Sequence, residues 1–283
     1  MCGICGCGQP ETRQHRLPGN SSVQHPALHE HAHPDHAHHE HAHPDHPGHG
    51  HSHPPARDSD GDRLEIRTVE VQTDLLTRND AVARHNRAGF QAGGILALNL
   101  VSSPGAGKTT LLERTLADLG GEIPFGVIEG DQQTDNDARR IADTGVAVIQ
   151  ITTGQACHLD AEMVHRAVHE LPPLSQGGVL MIENVGNLVC PSLFDLGERC
   201  KVVVASVTEG EDKPEKYPYM FRAARLVLLN KIDLLPHVKF NVPKFQEMAL
   251  RVNPGLKMIP LSATTREGMG QWYAWLRQER QTA

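Results

Sequence analysis

Residues Leu98 to Thr110 read L-N-L-V-S-S-P-G-A-G-K-T-T, an apolar run that passes through a glycine-rich turn into G-K-T-T. The aliphatic run before it, Ile95 to Val101, has the uninterrupted apolar character of a parallel strand buried on both faces. Thr110 to Leu119 (T-L-L-E-R-T-L-A-D-L) has helical spacing. The turn that joins them, Gly105-Ala106-Gly107-Lys108-Thr109-Thr110, suits a phosphate-binding loop. In such a loop successive backbone N–H groups face an anion at a helix N-terminus, and a lysine and a hydroxyl close over phosphates and Mg²⁺. The common pattern G-x-x-x-x-G-K-S/T begins on glycine, whereas Ser102 stands there in this chain. Taken alone, the loop can also be read as a glycine-rich turn that only needs positive φ.

Downstream runs extend the strand–helix alternation. Phe125 to Asp131 (F-G-V-I-E-G-D), Val146 to Ile151, Gly178 to Asn184 (G-V-L-M-I-E-N), Lys201 to Val207, Leu226 to Asp233 and Leu256 to Leu261 read as strands. Helices are expected from about Asp135 to Thr144, up to Leu171, from Asn241 to Val252 and from Gly268 to Arg280, where Trp272, Trp275 and Leu276 share a core face. T-E-G-E-D-K-P-E-K-Y-P reads as a charged loop, Leu64 to Val71 as a short strand, and Asp74 to Phe90 as a helix capped by Thr73 or Asp74. The prediction is an α/β P-loop NTPase fold, a mainly parallel sheet flanked by helices, over residues 63–283.

Chemistry collects at the strand ends, where open α/β sheets bind their ligands. Asp131 is placed to hold Mg²⁺ through water or to orient an attacking water, or else to cap the next helix. Glu183 ends another strand, and three residues later Gly186 offers an N–H that can report on a γ-phosphate. Asn230, Lys231 and Asp233 form N-K-x-D. A carboxylate at Asp233 accepts two hydrogen bonds from the guanine N1–H and amino group, Lys231 lies over the base, and Asn230 ties this loop to the phosphate loop. A backbone N–H of Ser262-Ala263 can reach the guanine O6.

The first 62 residues differ in kind. They hold 14 of the 19 histidines and no aliphatic run able to support a core, so they are expected to be a disordered Cys/His-rich arm. Cys2, Cys5 and Cys7 alternate with glycines, so three thiolates can converge on zinc, copper(I) or nickel(II). The octet H-E-H-A-H-P-D-H occurs twice and places His29, His31, His33, His36, His39, His41, His43 and His46 as interchangeable ligands for a borderline metal. Pro54 to Asp62 reads as a linker. Cys157 and His158 pair a soft and a borderline ligand before a helix, although taken alone the pair is better read as a buried cysteine beside a capping histidine. Cys190 lies seven residues beyond Glu183, so it moves with that loop unless it is simply core. The net charge is −7, no clustered basic run in the sequence suggests nucleic acid, and no apolar run reaches the 18 or so residues that span a membrane. Without a basic n-region and apolar h-region at the start, a cytoplasmic protein is expected, its cysteines reduced.

Together, C-G-I-C-G-C, the histidine tract, V-S-S-P-G-A-G-K-T-T, E-G-D-Q-Q-T, T-G-Q-A-C-H-L-D, E-N-V-G-N-L-V-C-P and N-K-I-D closely resemble the HypB family of hydrogenase nickel-incorporation GTPases, within the SIMIBI class of P-loop proteins. Ser102 and Glu183 are what that family looks like. The resemblance implies hydrolysis of GTP with Mg²⁺, with Lys108 and Thr109 on phosphates and Mg²⁺ and with Asp131 and Glu183 around the metal and water. It further implies a Ni²⁺ or Zn²⁺ site of Cys157, His158 and Cys190, at the interface of a GTP-favoured homodimer, and a separate nickel site at Cys2, Cys5 and Cys7. Its partners would be a HypA-type nickel accessory protein and the hydrogenase large subunit. Two other readings are a nickel or zinc storage protein whose nucleotide domain is incidental, and an accessory GTPase for another nickel enzyme such as urease.

Overall fold

Runs that are apolar on both faces persist in water only when helices cover both sides, and the aliphatic runs of this chain become parallel strands of one sheet for that reason. The computed structural model describes the backbone of residues 11–15 and 59–282, with side chains from residue 73. Cys2, Cys5, Cys7 and the histidines from His29 to His46 lie outside the described residues.

The strands are β1 (Glu11–His15), β2 (Leu96–Ser102), β3 (Phe125–Asp131), β4 (Ala147–Thr152), β5 (Val179–Glu183), β6 (Cys200–Ser206), β7 (Ala224–Asn230) and β8 (Lys257–Pro260). They lie in the order β1-β4-β3-β5-β2-β6-β7-β8. Seven are parallel, and β1 pairs antiparallel with the outer strand β4. The seven parallel strands match the expected runs. β1 was not expected, because E-T-R-Q-H has no apolar pattern and its pairing is backbone to backbone.

The helices are α1 (Ser59–Ala92), α2 (Lys108–Leu119), α3 (Asn136–Ala142), α4 (Ala161–Glu170), α5 (Lys213–Lys216), α6 (Pro218–Ala223), α7 (Val242–Val252) and α8 (Met269–Arg280). Two expectations fail here. Leu64 to Val71 is helical, not a strand, and Thr73 and Asp74 lie inside α1 instead of capping it. The alternation L-E-I-R-T-V-E-V suggests a strand, but lengthening a helix already nucleated downstream adds one hydrogen bond per residue without a second nucleation cost. The charged loop after β6 contains α5 and ends on the first residue of α6, and each helix has a proline in its first turn, where the missing N–H costs nothing. The described residues 11–15 and 72–282 belong to one compact unit, and the opening turns of α1, up to Val71, to a second.

Every residue of β2 is buried. Leu96, Leu98 and Leu100 pack with Leu112 and Leu116 of α2 and Trp272 and Leu276 of α8. On the opposite face, Ala97 joins Phe90 of α1 and Val164 of α4, and Val101 joins Phe221 of α6 and Phe245 of α7. Trp272 and Trp275 are core as expected, and the Trp272 indole N–H donates to Thr115 Oγ1 at 2.9 Å. With the sheet clamped from both sides, the C-terminal ends of β2, β3, β5 and β7 converge on one rim, which carries the site.

Candidate functional site

The phosphate loop bridges β2 and α2 in the geometry its glycines allow. Gly105 and Gly107 have φ of 78° and 89°. A Cβ on Gly107 would lie 2.7 Å from Asn230 Nδ2, so both backbone conformation and space require glycine there. The loop borders a cavity of about 550 Å³ that is also lined by Asp131, Asp137, Arg140, Gly186 and Lys231. Gly186 packs against the loop, since a Cβ on it would sit 3.2 Å from Pro104 N.

Behind the cavity-lining Lys108 and Thr109, Glu183 Oε1 accepts from Thr109 Oγ1 at 2.7 Å and pairs with Lys108 Nζ at 3.1 Å. Its other oxygen is buried without a partner. Asp131 does not cap the following helix, which Asp135 precedes; its carboxylate accepts the N–H groups of Gln133 and Thr134 at 2.8 and 3.0 Å. Thr109, Asp131 and Glu183 thus offer a hydroxyl and two carboxylates along one rim, a hard oxygen set of the type that suits Mg²⁺.

Sequence reading overlooked Glu129. In the β3–β5 register it stands directly beside Glu183, and its Oε2 is buried and unpartnered. With Asp131 and Asp137 it forms a group whose carboxylate oxygens lie within 4.8 Å of one another. Burial, then the charges of Glu183, Asp131 and Asp137, push its carboxyl up to about 9, against a smaller opposing pull from Lys108. A carboxyl raised this far binds its proton more tightly folded than unfolded. Its contribution to stability is therefore full below about pH 4.5 and is lost as pH rises toward 9. In protein free of metal and nucleotide, Glu129→Gln is expected to raise unfolding stability at pH 8 by about 1–3 kcal/mol and to leave it nearly unchanged at pH 4.5. Denaturant titration at the two pH values checks this.

At the other end of the loop, Asn230 is a buried hub. Its Nδ2 donates to Ala106 O at 3.0 Å, and its Oδ1 accepts from Lys231 N at 2.8 Å and Ala263 N at 3.1 Å. Lys231 adopts a left-handed φ of 64° and reaches Gly105 O with its Nζ at 2.7 Å. Asp233 keeps one carboxylate oxygen buried with no partner. The N–H of Ser262 goes to Glu267 O at 2.8 Å and that of Ala263 to Asn230, so a contact to a base O6 from Ala263 has to share its hydrogen. Sequence reading also overlooked Lys213 of α5, which pairs with Glu209 at 2.8 Å and donates to Ser103 Oγ of the loop.

Cys157, His158 and Cys190 come together although 33 residues separate the two cysteines. Their sulfur and imidazole nitrogen atoms lie within 4.8 Å of one another, with Cys157 Sγ 2.8 Å from Cys190 Sγ and 3.8 Å from His158 Nδ1. The sulfurs are too far apart for a disulfide, which closes at about 2.05 Å. His158 does not cap α4; Asp160 does, accepting from Met163 N at 2.8 Å. Cys190 is partly exposed, not core. Burial lowers the His158 pKa, which favours the neutral imidazole that binds metal. Two asparagines bind this cluster to the end of β5. Asn184 Oδ1 accepts from Leu159 N at 3.1 Å, and Asn187 Nδ2 donates to Cys157 O at 3.2 Å.

Comparison with known proteins gives a consistent result. The CobW/HypB/UreG nucleotide-binding domain family matches residues 96–260. The hydrogenase maturation factor HypB of Azotobacter vinelandii is 50% identical over 292 residues, which span 100% of this chain and 93% of the relative. That of Escherichia coli K12 is 58% identical over 214 residues, 76% and 73% of the two chains. The crystal structure of HypB from Helicobacter pylori in complex with nickel superposes with a TM-score of 0.67 at 38% identity, covering 72% of this chain and 96% of that one. No helix among the described residues is long and apolar enough to cross a membrane.

Proposed function

The chain belongs to the CobW/HypB/UreG family, on the branch of the HypB hydrogenase maturation factors, and from this premise we propose that it is a Mg²⁺-dependent GTPase that delivers nickel during maturation of a nickel–iron hydrogenase. The observation that carries this reading is the short tie between two sites. Glu183 bonds to Thr109 and Lys108 of the nucleotide cavity, Cys190 ends in the sulfur cluster, and Asn184 and Asn187 fasten the segment between them to the loop of Cys157 and His158.

Lys108 and the N–H groups from Gly105 to Thr110 hold the phosphates, and Asn230, Lys231 and Asp233 select guanine. Thr109, Asp131 and Glu183 would hold Mg²⁺, which supplies neutralisation of charge on the phosphate oxygens. Asp131 and Glu183 orient the attacking water, and the Gly186 N–H senses the γ-phosphate. Phosphoryl transfer asks mainly for positioning and charge stabilisation, so so few groups are enough for a slow switch. With GTP bound, the segment 183–190 is drawn toward the phosphate loop and sets the spacing of Cys157, His158 and Cys190, whose cargo is Ni²⁺, with Zn²⁺ as competitor. Hydrolysis relaxes the segment and lets nickel leave.

In this reading the cluster lies at the interface of a GTP-favoured homodimer in the cytoplasm. A HypA-type accessory protein and the hydrogenase large subunit receive the ion, while the N-terminal cysteines and histidine tract hold a reserve. The test is nickel transfer from the full chain to metal-free large subunit. Transfer at least about tenfold faster with hydrolysable GTP than with GDP supports nucleotide-controlled delivery. Equal rates, with several ions released regardless of nucleotide, would favour storage alone.

A further inference from the structure

The strand that leads into the phosphate loop, β2, carries a polar side chain in the middle of its aliphatic run, Asn99. It is wholly buried, where an amide is tolerated only if its donors and its acceptor are met. Its Oδ1 accepts from Asn184 Nδ2 at 3.2 Å, and its Nδ2 donates to Glu198 Oε1 at 3.1 Å. Both of these partners are buried as well. Glu198 Oε1 also accepts from Lys201 Nζ at 2.9 Å, and its Oε2 accepts from Leu196 N at 2.7 Å. At the other end, Asn184 Oδ1 accepts from Leu159 N at 3.1 Å and from Val185 N at 3.0 Å. A continuous polar chain therefore runs through the apolar core from Lys201 on β6, across β2, to the residue next to His158.

The bonds in this chain all point one way. The oxygen and NH₂ ends of an amide have nearly the same shape, so only the partners decide which end faces which. Glu198 faces three donors and acts purely as an acceptor, so the NH₂ of Asn99 must turn toward it. The carbonyl of Asn99 is then left for the NH₂ of Asn184, whose own carbonyl meets two backbone N–H groups. Were Asn184 reversed, its NH₂ would face those N–H groups and the tie to Leu159 would break. The same carboxylate also holds Leu196. The segment that bears Cys190 thus leaves the network at Asn184 and returns to it at Leu196, with both ends referred to one buried carboxylate.

We propose that Glu198 and Asn99 are positioning residues for the switch: they fix the polarity of the Asn184 amide, and through it the alignment of the Cys157 and His158 loop with the segment that moves with nucleotide. This inference rests on the proposed coupling of nucleotide to nickel, in which neither side chain is a ligand. Asn184 N donates separately to Leu100 O at 3.0 Å, so the backbone at the end of β5 is held independently of the amide. Loss of the amide's polarity therefore frees the metal loop without unpairing the sheet.

The test exchanges donor and acceptor. Asn99→Asp sets two carboxylates against each other, and Glu198→Gln sets an NH₂ against the Lys201 ammonium or the Leu196 N–H. In the double variant the new glutamine donates to the new aspartate, which still accepts from Asn184 Nδ2, and the net charge is unchanged. Nickel affinity at Cys157 and Cys190 is read from the thiolate-to-nickel absorption of the full chain carrying Cys2, Cys5 and Cys7 as serine, with GDP and with a non-hydrolysable GTP analogue. The affinity ratio of about tenfold or more expected of this parent chain should fall below about twofold in each single variant and return to at least about fivefold in the double variant. A role in stability alone would shift both affinities together and leave the ratio in place. A ratio kept in the single variants, or not restored in the double variant, overturns the proposal; where a single variant fails to fold, the double variant decides. Equal affinities in the parent chain would overturn the reading beneath it, and the proposal with that reading.

Discussion

Lys108→Ala is expected to reduce GTP hydrolysis by about a thousandfold or more, because one fixed cation facing the charge that develops in phosphoryl transfer supplies several kcal/mol. In the ligand-free chain this lysine also pairs with a carboxylate that is almost wholly buried. Its removal leaves Glu183 uncompensated, a loss of about 3–5 kcal/mol where the group stays charged. Two variants separate the effects. Lys108→Ala with Glu183→Gln should recover stability, by denaturant titration, without recovering hydrolysis. Nickel held by the histidine tract should be unaffected in either. Phosphate release at the wild-type rate from Lys108→Ala would remove the lysine from the site.

The second large effect is at Asp233. Its carboxylate has one oxygen buried and unpartnered, a costly state unless a ligand supplies donors. Guanine supplies two. Asp233→Asn is expected to weaken GTP binding by at least about a hundredfold, since hydrogen bonds to a charged acceptor are worth about 1.5–3 kcal/mol each. The same change should improve binding of xanthosine triphosphate, whose carbonyl replaces the guanine amino group and accepts from the new amide. Competition binding of the two nucleotides decides it. Unchanged preference would mean that the base is read elsewhere.

The sequence shows both ends of this site because each is local. Gly107-Lys108-Thr109 and N-K-x-D are continuous motifs, and flanking aliphatic runs place them at strand ends. What it hides depends on strand neighbours and helix crossings. Glu129 matters because β3 pairs with β5 in a register that puts it beside Glu183, and no spacing within one strand reveals that. The approach of Cys157 to Cys190 likewise needs the packed fold. Family resemblance supplied that pair, and nothing in the chain's local pattern did. Leu64 to Val71 misleads in the opposite direction, its local alternation overridden by a helix that continues through it.

The proposed delivery mechanism requires nucleotide state to set nickel affinity through the segment from Glu183 to Cys190. It is tested most directly by the thiolate-to-nickel charge-transfer absorption of the full chain carrying Cys2, Cys5 and Cys7 as serine. Histidine-bound nickel is silent in that band. Cys200 does not contribute, because burial pushes its thiol up to about 12. The signal then reports Cys157 and Cys190 alone. Titration with Ni²⁺ should give affinities differing by about tenfold or more between GDP and a non-hydrolysable GTP analogue, roughly 1.4 kcal/mol of coupling, and Cys190→Ser should abolish the difference. Equal affinities in the two nucleotide states would contradict the claim.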